Sequence, residues 1–109
     1  MQLAFELAHP MAQVEEILAR NGIAEVRSDT ETWKTYAVTS RPRGRRLIVM
    51  IHEDVKNWQE KPEDWRKYVR CGCSGHNIAV LKQPNKGRVC RHVAAVLMQE
   101  ARKAAAEEE

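Results

Sequence analysis

Aromatic residues are scarce in this chain: one phenylalanine, two tyrosines and three tryptophans among 109 residues. A core with so few rings is thin, and a domain of this size is marginal on apolar burial alone. A metal clip would add stability. Cysteine is scarce too, and its count of three is odd, which argues against a closed disulfide framework and for a reducing compartment. No apolar run approaches the roughly 20 residues that span a bilayer. The opening MQLAFELAHP has no positive leader and carries Glu6 within its short apolar run, so it does not read as a signal peptide. A cytoplasmic protein without a membrane role is the expectation. There is no phosphate-cradling glycine loop, no paired set of carboxylates and no nucleophile beside a base. Catalysis and a small-molecule substrate are therefore not expected.

What the chain does have is charge, unevenly placed. The formal net charge is +3. Residues 1–65 hold nine lysines and arginines against eleven acids, whereas residues 66–103 hold nine against one, and the last six residues add three glutamates. A basic half facing an anionic partner is one reading of that asymmetry. A solvated positive face is the other.

The order of elements follows from periodicity. Leu3, Phe5 and Leu7 alternate as in a short strand. Pro10 opens a helix over 10–20, with Met11, Val14, Ile17 and Leu18 at helical spacing and Asn21-Gly22 as its stop signal. Strands are expected over 24–28, 32–39 and 46–52. The last two are joined by a turn through Ser40-Arg41-Pro42-Arg43-Gly44. Arg41, Arg43, Arg45 and Arg46 cluster at that tip, where they serve either a phosphate backbone or edge protection and solubility. Pro62-Glu63-Asp64-Trp65 has the acidic first turn that suits a helix start. Trp58 and Trp65, set among charges, are either packing residues or exposed platforms for a base, packing being the commoner use.

Every cysteine lies between residues 71 and 90. The stretch reads Cys71-Gly72-Cys73, sixteen residues, then Cys90-Arg91-His92. Three thiols and an imidazole are a complete donor set for one tetrahedral zinc ion. Gly72 and Ser74-Gly75 leave the backbone free for the tight turn that Cys-x-Cys demands. Ile78–Leu81, the turn Gln83–Gly87 and Arg88-Val89 read as strand, turn, strand, which brings the second ligand pair back to the first. Val93, Val96, Leu97, Ala101 and Ala104 then recur on one face of a helix. Cys90 and His92 fall at its amino terminus, where the dipole favours a thiolate. His76 is a rival for the fourth ligand, though the helix context favours His92. His9 and His52 have no matching partners.

The pattern Cys-x-Cys-x(n)-Cys-x-His followed by an apolar helix resembles the SWIM-type zinc finger. The match covers about residues 66–104, including Val69 and the run Cys90-Arg91-His92-Val93-Ala94-Ala95-Val96-Leu97. The resemblance implies a ββα zinc-binding unit with DNA-binding or protein-interaction roles. The helicase and transposase activities of larger relatives find no room in the remaining residues.

The expectation is therefore an α+β protein, folded as one compact domain by its length. An N-terminal helix with a small antiparallel sheet over 1–65 supports a ββα zinc unit over 66–104, and 105–109 form an acidic tail. One structural Zn²⁺ is held by Cys71, Cys73, Cys90 and His92. The expected partner is DNA or RNA, met mainly at phosphate by Arg41, Arg43, Arg45, Arg46, Arg70, Lys82, Lys86, Arg88 and Arg91. The alternative is a protein-interaction module docking on a larger complex.

Overall fold

A computed structural model describes residues 5–7, 10–20, 22–26, 32–39, 46–55, 63–73 and 88–107. The fold is α+β. In chain order it comprises β1 (Glu6–Leu7), α1 (Met11–Ala19), β2 (Ile23–Val26), β3 (Trp33–Thr39), β4 (Arg46–His52), a single 3₁₀ turn (Trp65–Lys67), β5 (Val69–Cys71), β6 (Arg88–Val89) and α2 (Arg91–Glu107). Strands β2-β3-β4-β5 form one antiparallel sheet in sequence order. β1 and β6 make a separate parallel pair, Leu7 opposite Val89. Among the described residues no helix is long and apolar enough to cross a membrane.

Alternation along the strands sets which face is buried. The row Tyr36–Val49–Cys71 and the row Val38–Leu47 point to the helices, and Tyr36, Val38, Val49 and Val69 are almost fully enclosed. The opposite face carries Thr35, Ile48, Met50 and Arg70, with Ile48 48% exposed. α2 supplies most of the other half of the core. The expected single apolar stripe is too narrow a description: every residue from His92 to Met98 is buried. The helix lies between the sheet and α1, so both of its sides are covered. Its alanines let the two helices approach, while Val93, Val96 and Leu97 each contribute about 1.5–3 kcal/mol by leaving water.

One expectation changes in the structure, and two others become specific. The helix expected to begin at Pro62 is reduced to one 3₁₀ turn. Asp64 precedes it in the left-handed region, φ 56°, a conformation that aspartate tolerates better than most residues. Its carboxylate meets Arg66 Nε at 3.0 Å and Lys67 Nζ at 2.9 Å. Trp65 packs inside, edge to face on Phe5 with ring centroids 5.4 Å apart, which decides its role as packing. The N-terminal strand is only two residues long, and it pairs with the strand that delivers Cys90. Trp58, the turn at 40–44, and the strand and turn expected over 78–87 lie outside the described residues.

Gly22, expected as part of the stop signal after α1, is constrained by close packing. Its φ is not positive, yet a Cβ there would come within 2.5 Å of the Thr39 carbonyl oxygen and 3.3 Å of Ile17 Cγ2. The Gly22 N–H donates to the Ile17 carbonyl at 3.0 Å, and its own carbonyl accepts from Thr39 N–H at 2.8 Å. Helix and sheet edge are held at backbone contact distance. Gly22→Ala must push them apart and should cost about 1–3 kcal/mol, read as a lowered urea midpoint with an unchanged denaturant slope.

Candidate metal centre

Four side chains from three places in the chain meet at one end of α2. Cys71 closes β5, on the inward row opposite Val49. Cys73 follows two residues later. Cys90 sits between β6 and α2, and His92 lies in the first turn of α2. The three Sγ atoms and one imidazole nitrogen all lie within 4.8 Å of one another. A tetrahedral ion with bonds of about 2.3 Å to sulfur needs ligand atoms about 3.8 Å apart. A small contraction of the cluster suffices, so the four residues could hold one metal ion.

The donors themselves fit an ion better than they fit each other. His92 is 2% exposed, and neither ring nitrogen has a hydrogen-bond partner among the described residues. An unpartnered buried polar group costs about 1–3 kcal/mol; a ring nitrogen that ligates an ion escapes that penalty. The thiols show the same tension in their titration. The Cys73 thiol alongside, together with burial, pushes Cys71 up to about 11 although Cys90 works the other way. Cys71 and Cys73, and then burial, push Cys90 upward as well. Three thiolates this close repel, and a bound cation reverses that balance.

Local structure positions each ligand. The Val93 N–H at the start of α2 donates to Cys90 Sγ at 3.5 Å, and the Ala94 N–H caps the Cys90 carbonyl at 3.0 Å. Cys90 therefore sits where the helix dipole favours negative charge. Gly72, expected to be needed for the tight turn, is not constrained: its φ is not positive and a Cβ would meet nothing within 4 Å.

Of the basic residues singled out from the sequence, the four that are described do not form one group. Arg46 and Arg70 are exposed on the sheet face turned away from the helices. Arg88 is exposed on β6, with Glu6 Oε2 3.9 Å from its Nε. Arg91 is half-buried, and its Nη1 donates to Gln13 Oε1 at 3.0 Å, so it ties α2 to α1. Arg41, Arg43, Arg45, Lys82 and Lys86 lie outside the described residues, as do His9 and the rival ligand His76.

His52, read from sequence as having no matching metal-ligand partners, closes β4 and makes contacts of other kinds. It stands edge to face with Trp33 (5.0 Å) and with Tyr68 (4.9 Å). Its Nδ1 accepts the Asp54 N–H at 3.1 Å, which places the proton of the neutral ring on Nε2. The nearby Asp54 carboxylate, 3.5 Å from the same Nδ1, is then not its hydrogen-bond partner. A second link missed from sequence joins Tyr36 to Glu100, 64 residues apart: the phenol donates to Oε1 at 2.9 Å. Burial and that acceptor raise the Tyr36 pKa. The pair lines a pocket of about 260 Å³ with Lys34, His52, Glu53 and Val96, apart from the cysteines. No local pattern announces either link, since both depend on strand register.

Because Cys71 and Cys90 hold their protons at neutral pH without a cation, metal uptake by these thiols should release protons. Affinity should fall as pH falls. Calorimetric titration in two buffers of different ionisation enthalpy counts those protons. Uptake insensitive to buffer and pH would exclude these thiols as ligands.

Compared with family models, curated proteins and solved structures, the chain matches none of them.

Proposed function

We propose that the chain is a small structural-zinc protein that binds nucleic acid, with the fold of a SWIM-type finger over about residues 66–104. The convergence of Cys71, Cys73, Cys90 and His92 carries this reading. Three soft sulfurs and one imidazole suit Zn²⁺ in tetrahedral geometry. Four protein donors close the coordination shell and leave no position for water or substrate, so the ion is structural and the protein is not an enzyme. The ββα unit would comprise the strand expected over 78–81, β6 and α2.

The nucleic-acid part rests on charge. Residues 66–103 hold nine basic residues and one acid, and a zinc ion with three thiolates changes that balance by only about −1. Arg46, Arg66, Lys67, Arg70 and Arg88 are exposed, although Arg66 and Lys67 are engaged by Asp64. Contacts of this kind fall mainly on phosphate and confer affinity before sequence preference. Arg91 drops out of the proposed surface because of its bond to Gln13.

Two measurements test this. Protein purified without added metal should carry about one zinc per chain; Cys71→Ser should lose both metal and fold, while Gly72→Ala keeps both. An intact, metal-loaded Cys71→Ser variant would refute the ligand set. Separately, a mixed nucleic-acid pool should bind at low salt and dissociate as salt rises, with Arg88→Ala reducing the logarithmic salt slope by about 1. Absence of binding at low salt would leave the protein-docking alternative in place.

A further inference from the structure

The two faces of the four-stranded sheet differ in more than burial. Its inner face meets α2; among the described residues no element covers the outer one. Across one end of that outer face run three aromatic rings, Trp33 on β3, His52 on β4 and Tyr68 just before β5. Trp33 pairs with His52 across β3 and β4, and the His52 N–H donates to the Tyr68 carbonyl at 2.8 Å. The rings stand edge to face in turn. Arg70 reaches across β4 and lays its guanidinium over the Trp33 ring, 4.8 Å from the centroid.

The strands of this face carry charge of one sign, and the acid nearest the rings is Asp54, just past β4, whose carboxylate stands 3.5 Å from His52 Nδ1. The four strands contain a single carboxylate residue, Glu25, and it lies opposite Tyr36 on the other face. Arg70 and Arg46 belong to the outer face. Arg46 precedes Ile48 and Met50 on β4, Arg70 lies beside Met50 on β5, and the strand from Arg46 to His52 extends about 20 Å. An apolar and aromatic floor bounded by cations, with no carboxylate on the strands beneath, complements a chain of flat rings joined by phosphates.

We propose that this outer sheet face is a binding platform for single-stranded nucleic acid, a proposal that rests on the nucleic-acid reading above. The Arg70–Trp33 stack offers a planar, positively charged surface to a base. Tyr68 and His52 hold Trp33 from the side. Arg46, at the far end, meets the backbone of the same strand. The paired bases of a duplex present no free ring face, so a duplex gains only the phosphate contacts.

The test uses metal-loaded, full-length protein and the anisotropy of a labelled 12-nucleotide oligo(dT), with a 12-base-pair duplex alongside. The single strand should bind more tightly than the duplex. Trp33→Leu should weaken single-strand binding roughly 5- to 150-fold, the effect of one lost base–aromatic stack, and leave duplex binding and metal content unchanged. Trp33→Tyr, which keeps a ring, should recover most of the loss. If Trp33→Leu does not fold, the exposed Arg70→Ala carries the same expectation for the single strand. Arg88→Ala serves as the contrast, weakening single strand and duplex alike. Loss on Arg88→Ala with none on Trp33→Leu and Arg70→Ala would overturn the platform and leave the basic zinc unit as the binding surface. Failure of both nucleic acids to bind at low salt would remove both proposals. Self-association abolished by Ile48→Glu, with no single-strand preference, would give the face to a second copy of the chain instead.

Discussion

The convergence of three sulfurs and an imidazole at the start of α2 is the constraint from which most of the architecture follows. Its ligands come from the end of a sheet strand, the two residues after it, and a strand–helix junction. Cys71 can face inward only if β5 pairs with β4 in the observed register, Val49 opposite Cys71. A slip of one residue would turn Cys71 outward and bring Arg70 in. Cys90 reaches the same point only because Val89 is pinned to Leu7 in the parallel pair. The smallest strand pair in the fold therefore fixes the second half of the ligand set.

The same helix that carries His92 forms half of the hydrophobic core. His92 is followed by six buried residues, Val93 to Met98, so the imidazole cannot move without moving the packing beneath it. Ligand geometry and core packing are thus coupled. An ion bound at the cluster would lower the free energy of the folded chain directly, because a site of this kind does not exist in the unfolded one. That coupling suits a domain with a single phenylalanine, whose core alone leaves stability marginal.

Much of this was legible in the sequence, and the parts that were not share a cause. Helix α1, strands β3 and β4, and the ligand quartet follow from local periodicity and spacing, which a chain displays without being folded. The apolar stripe of α2 was visible, but not its all-round burial, because that depends on α1 lying across it. Gly22 was legible as part of a stop signal, but not its constraint by the carbonyl of Thr39, seventeen positions away. Arg91 looked like part of a basic surface until Gln13, on another helix, claimed it. Tyr36–Glu100 and the Trp33–His52–Tyr68 row are likewise products of register. Sequence pattern reports what each segment buries; only packing reports what it buries against.

The arginines illustrate how that distinction bears on function. Net charge counts Arg46, Arg70, Arg88 and Arg91 equally, yet their surroundings separate them. Arg91 is spent on a helix–helix contact, and Arg88 lies near Glu6 on a two-residue strand. Arg70 has its guanidinium carbon over an indole ring, 4.8 Å from the centroid, a contact that favours this placement of the cation. A cation held in place loses less entropy on meeting a ligand than one on a free stem. A partner that can use a flat, oriented cation gains from that arrangement, whereas one that needs only positive charge does not. The sheet face and the cysteine–histidine end of α2 thus offer different chemistry within one small fold, the first through planar rings and the second through four side chains that could hold a metal ion.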